Sequence, residues 1–368
     1  MMITRNKKIL KGLTLEELQG FCSEVAEPKY RAKQIFSWMY GHLAESFEEM
    51  QNLPKPLRKK LTEISSLNTL KYVTSRVSSS TGTKKYIFET AEGNRIESVL
   101  IPESRRNTLC ISTQAGCPLD CKFCATGLMG YKKNLSAGEI FDQYKLAVKD
   151  SDGKKITNIV YMGMGEPLLN FNETIKSLKI FSDELTTEIS PRRITLSTAG
   201  IAPKIKELAD LGIKVKLALS LHSCFEDVRS KIMPVSKKYS LKENIEAIKY
   251  YIKKTRTKIT FEYIILKDIN DRKEDIKALT KLCRSLPGKI NVIPFNSLEH
   301  MNPGGVSAKL LPSSAERINK FVNKLKANGI TVMLRNTQGD DIAAACGQLA
   351  YPQPIPAIRR ASPKERGF

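Results

Sequence analysis

The sequence predicts an α/β protein in which an open, partial (β/α)6 barrel follows a small N-terminal accessory domain. Short β-like runs alternate with amphipathic stretches from about residue 107 onward, and this alternation implies a parallel sheet with helical crossovers. About six strand–helix units are present, fewer than the eight of a closed barrel. The first hundred residues lack this rhythm. We therefore predict an accessory domain over 1–100, a barrel over 101–350 and a basic, mobile tail over 351–368.

The accessory region carries two helix signals and one hairpin signal. Thr14 and Glu17 have the spacing of a capping box, which predicts a helix over LEELQGFCSEV. The stretch RAKQIFSWMYGHL places apolar residues at helical spacing. Residues 85–101 alternate in polarity and break at EGN, which predicts a hairpin.

The barrel region divides into strands and helices in regular order. The predicted strands are TLCIST, NIVYMG, RRITLST, KVKLALSL, KITFEYIIL, KINVIPF and ITVMLR. Capping boxes at Ser136 and Ser240 begin two of the helices, and Ser313 with Glu316 is predicted to cap the last one. The other predicted helices are FNETIKSLKIF, IAPKIKELADLG and EDIKALTKLCRSL. In a parallel barrel the working face is formed by the C-terminal ends of the strands.

Composition restricts the partners and the compartment. The chain has 60 Lys and Arg against 38 Asp and Glu, a formal net charge of +22. Such an excess favours a polyanionic partner, for which RNA, DNA and an anionic membrane surface all qualify. No secretory signal and no run of about 18 apolar residues is present, so we expect a cytoplasmic protein without a membrane partner. Its eight cysteines should then be metal ligands, catalytic thiols or small buried residues.

The segment GCPLDCKFCATG is the strongest chemical signal in the chain. It places Cys117, Cys121 and Cys124 in a C-x3-C-x2-C pattern. A [4Fe–4S] cluster takes four ligands, so three thiolates leave one iron open to a small molecule such as S-adenosylmethionine (SAM). A zinc site is the alternative, but it needs a second ligand pair, and no histidine lies near this loop in sequence. Three incidental thiols are the other alternative.

This loop, following the first barrel strand, resembles the radical SAM superfamily. Longer strings resemble the RlmN family of dual-specificity RNA adenine-C2 methyltransferases: CISTQAGCPLDCKFCATG, VYMGMGEPLLN, RRITLSTAGI, LALSLHS, VIPFN and GDDIAAACGQLA. The resemblance covers about residues 20–350 and implies that the partial barrel is a radical SAM barrel. The alternative is a relative of Cfr, which methylates carbon 8 of adenine, but the run GEPLLN is more similar to RlmN.

The resemblance also implies which residues contact the cofactors. It assigns Cys117, Cys121 and Cys124 to the cluster. It assigns SAM to residues at strand ends, where capping or turn chemistry is the alternative function. These residues are Gly165, Glu166, Ser197, Ser220, Leu221, His222 and Asn296. Without the resemblance, a single Gly-x-Gly would be a weak signal, and His222 would be a structural histidine.

Three further residues gain roles from the resemblance. By themselves, Cys346 and Cys110 would be small buried residues and Glu97 a solvated side chain. The family implies that Cys346 carries the methyl group, that Cys110 releases it through a transient Cys110–Cys346 disulfide, and that Glu97 acts as acid–base residue. Two SAM molecules are used per turnover, one as methyl donor and one as radical source. A radical route is required because carbon 2 of adenine is not a nucleophile.

The implied partners are nucleic acids and a reductant. The resemblance implies that the substrates are 23S rRNA, at the peptidyl-transferase centre, and tRNA, at the adenosine 3′ of the anticodon. We expect the accessory domain over 1–100 to help bind this RNA. An electron donor such as a flavodoxin-type reductant would reset the cluster and the disulfide, and we expect a monomer. A non-catalytic iron–sulfur or zinc RNA-binding protein is the alternative from a different class.

Overall fold

The body of the protein is a ten-stranded sheet whose longer part is parallel. The computed structural model describes residues 7–151, 153–187 and 189–351. The predicted mobile tail therefore lies outside the described residues except for Tyr351. In the described ranges no helix is both long enough and apolar enough to cross a membrane.

The strands are numbered in chain order. They are β1 (Lys8–Ile9), β2 (Ser65–Ser66), β3 (Leu70–Val77), β4 (Lys84–Thr90), β5 (Arg95–Glu103), β6 (Arg106–Cys110), β7 (Gln114–Gly116), β8 (Tyr131–Asn134), β9 (Asn158–Tyr161), β10 (Ile194–Thr198), β11 (Lys216–Ser220), β12 (Ile259–Ile265), β13 (Gly288–Pro294) and β14 (Val332–Leu334).

The α-helices are numbered in the same way. They are α1 (Leu15–Glu24), α2 (Tyr30–Phe36), α3 (Lys55–Ile64), α4 (Ala125–Leu128), α5 (Ala137–Lys149), α6 (Phe171–Ser182), α7 (Ala202–Asp210), α8 (Glu226–Ile232), α9 (Leu241–Thr255), α10 (Lys273–Ser285) and α11 (Ala315–Ala327). Helix α2 continues as a π-helical turn over Ser37–Gly41.

The predicted partial barrel is confirmed. The strand order is β14-β13-β12-β11-β10-β9-β6-β5-β4-β3, and every pair from β6 to β14 is parallel. Helices α5, α6, α7, α9, α10 and α11 lie between successive parallel strands, which gives six β/α units before β14. At the other edge β3, β4 and β5 extend the same sheet with antiparallel pairing, and β4 with β5 is the hairpin predicted over 85–101.

Capping residues determine where several helices begin. The capping boxes predicted from Thr14, Ser136 and Ser240 are confirmed. The predicted cap of α11 is wrong by one residue. Ser314 accepts the hydrogen bond from the helix backbone, because it directly precedes the first helical residue, while Ser313 donates its hydroxyl to another part of the barrel.

The N-terminal segment is fastened to the barrel by a buried ion pair. Lys11 Nζ donates to the carbonyl of Met39 at 2.9 Å and lies 3.7 Å from Asp142 of α5. Asp142 also accepts from the backbone amide and hydroxyl of Thr69. A Cβ on Gly138 would come within 2.5 Å of the Lys11 carbonyl, so backbones meet directly here. The division between the domains at residue 100 stays a prediction.

Candidate active site

A cavity opens at the C-terminal ends of strands β9 to β13. The space between its lining residues amounts to about 920 Å³, which includes open solvent. Most of the residues predicted for the site line this cavity. They are Cys117, Cys121, Cys124, Gly165, Glu166, Ser197, Ser220, His222 and Cys346. Four predicted residues are not in its lining: Glu97, Cys110, Leu221 and Asn296.

The three-cysteine loop follows β7 and leads into α4, so that loop and helix together lie between the paired strands β7 and β8. Gly116 has φ +73° and a Cβ there would lie 1.8 Å from the Gly130 carbonyl, so only glycine fits at the base of the hairpin. The amide of Cys117 donates to that same carbonyl at 3.1 Å. Cys124 turns back to donate its amide to the Cys121 carbonyl at 3.1 Å. These bonds bring all three thiols to one wall of the cavity.

The loop fits an iron–sulfur cluster better than a zinc ion. All three cysteines are free thiols, and burial raises the pKa of the Cys117 thiol to about 12. A tetrahedral zinc site needs four ligands on one ion and this loop supplies three, whereas three thiolates of a cluster leave one iron open. The thiols, the cavity and the lack of a fourth ligand in the loop agree with a cluster that has one open iron.

The loop after β9 holds a buried carboxylate at the cavity. Gly165 has φ +96°, and a Cβ there would lie 2.5 Å from the Cβ of Gln114. Glu166 Oε2 accepts from the Ala199 amide at 2.7 Å, and Oε1 accepts from the Leu168 amide at 3.0 Å. Burial raises the pKa of Glu166 to about 7 despite these bonds. A carboxylate fixed in this way can bind an ammonium group such as that of methionine.

His222 is held in one protonation state. Its Nδ1 accepts from the Ile264 amide at 2.9 Å, so the proton of the neutral ring is on Nε2. Burial, followed by the charge of Arg229, lowers the pKa of His222 to about 3. The residue adopts φ +55° at the end of β11. The neighbouring Leu221 is buried, and its amide donates to the Glu262 carbonyl. Its backbone therefore helps join β11 to β12, and its side chain does not line the cavity.

Cys346 lies on a loop that is fastened to the cysteine loop. The Asn296 side-chain amide donates to the Cys346 carbonyl at 3.0 Å, which makes Asn296 a support for this loop. The amide of Ala125, the first residue of α4, donates to the Gly347 carbonyl at 2.7 Å. The Cys346 side chain is accessible through the cavity, yet the surrounding protein removes enough water to raise the pKa of its thiol to about 11. The carboxylate of Glu262 is the next cause of that increase.

Cys110 lies behind the cavity at the end of β6. Burial raises the pKa of its thiol far above the usual value, and the nearby Cys346 sulfur raises it further. The two sulfurs are thus within electrostatic range. Both are free thiols, so the predicted disulfide is not formed in this structure.

Glu97 is buried, contrary to the alternative of a solvated side chain. Its Oε1 lies 3.1 Å from Lys85 Nζ, and both side chains are almost fully enclosed between β4 and β5. Burial raises the pKa of Glu97, and the charge of Lys85 opposes that increase. An acid–base role for Glu97 stays a prediction, because its carboxylate does not line the cavity.

Sequence reasoning missed a buried arginine that ties the strand ends together. The guanidinium of Arg229, in α8, is fully buried. It donates to the carbonyls of Ala199 and Ser220 at 2.6 and 3.1 Å, to the carbonyl of Leu221 at 3.1 Å, and to the hydroxyl of Ser236 at 2.6 Å. The ends of β10 and β11 are therefore held together behind the cavity.

Sequence reasoning also missed a carboxylate in the cavity lining. Glu262, in β12, is 5% exposed and lies among apolar residues of a buried strand. A charged residue inside the run KITFEYIIL is the signal that could have singled it out, since acidic side chains are seldom fully buried without a function or a partner.

Comparisons with known proteins agree along almost the whole chain. Models of the radical SAM superfamily and of the ribosomal RNA large subunit methyltransferase N-terminal domain match residues 111–282 and 9–67. A probable dual-specificity RNA methyltransferase RlmN from Clostridium beijerinckii is 45% identical over 92% of this chain and 94% of its own length. One from Dictyoglomus turgidum is 43% identical over 91% and 94%. The chain belongs to the RlmN family of radical SAM RNA methyltransferases.

A solved structure supports the same assignment. The crystal structure of a radical SAM methyltransferase from Sphaerobacter thermophilus has a TM-score of 0.86 and 40% identity, and the match covers 93% of this chain and 98% of that one. As a radical SAM enzyme of the RlmN family, the protein uses a [4Fe–4S] cluster and SAM. The non-catalytic alternative from the sequence analysis is wrong. RNA is the substrate class of the family.

Proposed function

We propose that this RlmN-family enzyme methylates carbon 2 of adenosine in 23S rRNA, at the peptidyl-transferase centre, and in tRNA, 3′ of the anticodon. The observation that supports this proposal is that the Cys346 thiol shares one cavity with the three-cysteine loop. A second free thiol, Cys110, lies within electrostatic range. A two-thiol mechanism requires one thiol that carries the methyl group and a second thiol that releases it.

The proposed cofactor ligands are those that the resemblance implies, and most of them line this cavity. We assign the cluster to Cys117, Cys121 and Cys124, and SAM to the carboxylate of Glu166 and the strand-end residues around it. The latter residues are Gly165, Ser197, Ser220, Leu221, His222 and Asn296. When bound, the cluster and SAM supply the electron, the carbon radical and the methyl group.

The thiols carry the group transfer. Cys346 takes the methyl group from SAM and carries the carbon that becomes bonded to carbon 2 of the adenine. Cys110 then attacks the sulfur of Cys346, and the bond from that sulfur to the bridging carbon breaks. The carbon keeps the electron pair and takes a proton to become the methyl group, while the two sulfurs are oxidised to a Cys110–Cys346 disulfide. Glu97 is the proposed acceptor of the carbon-2 proton, and Glu97→Gln tests that role separately. A flavodoxin-type reductant would restore both cluster and thiols.

We attribute RNA binding to the positive charge of the chain. An adenine within a duplex must be extruded, or must lie in partly unfolded RNA, to reach a cavity of this kind. The N-terminal region before residue 100 is the proposed RNA-binding part. We further propose that the enzyme acts as a monomer in the cytoplasm.

Nucleoside analysis tests the site of methylation. Enzyme reconstituted anaerobically with iron, sulfide, SAM and reductant is incubated with 23S rRNA fragments and tRNA, and the digested RNA is analysed by chromatography and mass spectrometry. The proposal expects 2-methyladenosine. 8-Methyladenosine would contradict it in favour of Cfr-type chemistry, and Cys117→Ala is the control that lacks the cluster.

A covalent adduct tests the two thiols. Cys110→Ala should still load the methyl group on Cys346 and attack RNA but should fail to release it. A protein–RNA adduct should then appear as a shifted band on a denaturing gel and disappear on nuclease digestion. Adding Cys346→Ala to Cys110→Ala should remove the adduct, and normal turnover by Cys110→Ala would refute the release step.

A further inference from the structure

Glu262 is a buried carboxylate with a free oxygen in the cavity wall. It pairs in register with Ser220 of β11 and Asn291 of β13, so the three residues form one row across the sheet. Glu262 Oε1 accepts from the Asn291 side-chain amide at 2.8 Å. Its Oε2 is buried without a hydrogen-bond partner among the described residues. Buried carboxylate oxygens without partners are costly, which points to a function for this one.

Three ionisable groups interact electrostatically with this carboxylate. Arg335, which follows β14, and Lys289 of β13 favour its charged form, while the Cys346 thiol, on a loop that lines the same cavity, is itself affected by the charge of Glu262. Burial nevertheless dominates and raises the pKa of Glu262. Around the Cys346 thiol the interacting groups are Glu262 and Arg335, together with the thiols of Cys124 and Cys110.

The Cys346 thiol needs a proton acceptor before it can take a methyl group. Only a thiolate is an effective nucleophile, so the thiol must pass its proton to another group, and both Cys346 and Glu262 line the same cavity. Both oxygens of Glu166 already accept backbone hydrogen bonds. His222 accepts a backbone amide at Nδ1. Glu262 is the cavity carboxylate whose free oxygen remains available.

We propose that Glu262 Oε2 takes the proton from the Cys346 thiol during methylation of that sulfur, an inference that rests on the proposed function. The thiol proton passes to Oε2, a bond forms between the Cys346 sulfur and the SAM methyl carbon, and the bond from that carbon to the sulfonium breaks. The electron pair of the broken bond stays on the departing sulfur, which leaves S-adenosylhomocysteine. Charge and atoms balance without an oxidant or reductant.

Glu262→Gln distinguishes two roles of Glu262, because a proton acceptor and a purely electrostatic neighbour would change the rate of Cys346 methylation in opposite directions. The negative charge of Glu262 raises the pKa of the Cys346 thiol. If Glu262 acted only through that charge, its removal would lower this pKa and speed methylation. If Glu262 is the proton acceptor, the same substitution lowers this pKa but slows methylation. Gln keeps the side-chain oxygen that Asn291 contacts, so the row across the sheet is retained.

The experiment measures methyl loading and thiol reactivity separately. Holoenzyme with unmethylated Cys346 is mixed with labelled SAM but no reductant, and the mass of the Cys346 peptide is followed over time at several pH values. In parallel, the rate of Cys346 alkylation by iodoacetamide against pH gives the thiol pKa without using SAM. Iron content and SAM affinity are measured for each variant. Glu246→Gln, an exposed ion-pair glutamate on α9, is the matched control.

Glu262→Gln should load Cys346 about 100-fold more slowly than wild type near neutral pH. Its rate should rise about tenfold per pH unit as the thiolate population grows, while iodoacetamide reports a lowered thiol pKa. Glu262→Asp should recover part of the rate, and Glu246→Gln should match wild type. Loading by Glu262→Gln at or above the wild-type rate would overturn the proposal. So would a loss of SAM affinity or iron that accounts for the slower rate.

Failure of the proposed function gives a different result. If wild-type enzyme gains no methyl group on Cys346, the cysteine-borne intermediate itself is wrong, whatever Glu262 does. If wild type and Glu262→Gln both load Cys346 equally fast, the intermediate stands and only the role of Glu262 is wrong.

Discussion

Replacing Arg229 with Met should weaken the connection between the ends of β10 and β11 next to the active-site cavity, and should destabilise the fold. Met fills most of the same space but donates no hydrogen bonds. Three buried carbonyls and one hydroxyl would lose their donor, among them two bonds of 2.6 Å. Hydrogen bonds to a charged group contribute about 1.5–3 kcal/mol each, but they are not additive, and the guanidinium no longer has to be desolvated. We expect a net loss of about 4 kcal/mol, as for other disrupted buried ion networks.

The assay is thermal unfolding of the protein followed by circular dichroism. For 368 residues the entropy of unfolding is about 0.8 kcal/mol per kelvin, so this loss corresponds to a decrease of about 5 °C in Tm. Arg229→Lys should also be destabilising, because an ammonium group cannot reproduce the planar fork that reaches separate carbonyls. Arg284→Met is the control, since that exposed side chain makes one hydrogen bond to Asn328 and should cost less than about 0.5 kcal/mol.

The same substitution should weaken SAM binding. The Ala199 carbonyl accepts from Arg229, and the Ala199 amide donates to Glu166, so the arginine fixes the peptide segment that orients the carboxylate. A Tm within about 1 °C of wild type together with unchanged SAM affinity would refute the reasoning. It would mean that water replaces the guanidinium without cost and that the strand ends hold their positions without it.

Further predictions concern the cavity and the RNA. Gly165→Ala should abolish SAM binding in a titration, because its Cβ would meet Gln114 at 2.5 Å and its φ is +96°. SAM affinity of wild type should weaken by up to about tenfold per pH unit below about 7, since protonated Glu166 must lose its proton to hold an ammonium group, and Glu166→Gln should bind weakly with a flatter profile. RNA affinity should fall by about 10³-fold between roughly 50 and 200 mM salt if about six phosphates are contacted, and a flat response would exclude a dominant electrostatic contribution.

The parallel part of the sheet could be predicted from sequence because its strands are buried on both faces. Such strands form apolar runs like KLALS and ITFEYII, and amphipathic helices separate them. The edge strand β3 gave no comparable signal, since most of its side chains are exposed. The β7–β8 hairpin is too short for any periodicity, and its geometry depends on the contact between Gly116 and Gly130, which are far apart for a local pattern.

The site residues also fall into two groups: those that a local sequence pattern reveals and those whose role depends on contacts with distant parts of the chain. The three cysteines lie within a segment of eight residues, so their pattern is visible in the sequence. Arg229 was missed because three of its four bonds go to backbone carbonyls, and any residue type can provide a carbonyl. Glu262 was visible as a charge in an apolar strand, but its electrostatic interaction with Cys346 joins two distant parts of the chain and leaves no local pattern.

The loop that carries Cys346 has to serve two positions in turn under the proposed mechanism. The Cys346 sulfur must first contact SAM near the cluster and later contact the Cys110 sulfur. Hydrogen bonds from Ala125 to Gly347 and from Thr126 to Leu349 fasten the loop to α4, directly after the last cysteine of the cluster loop. The backbone is thereby fixed relative to the cluster, so the choice between partners falls to the Cys346 side chain. Because that side chain is exposed and lines the cavity, we predict that a rotation of the Cys346 thiol, rather than a displacement of its loop, exchanges one partner for the other.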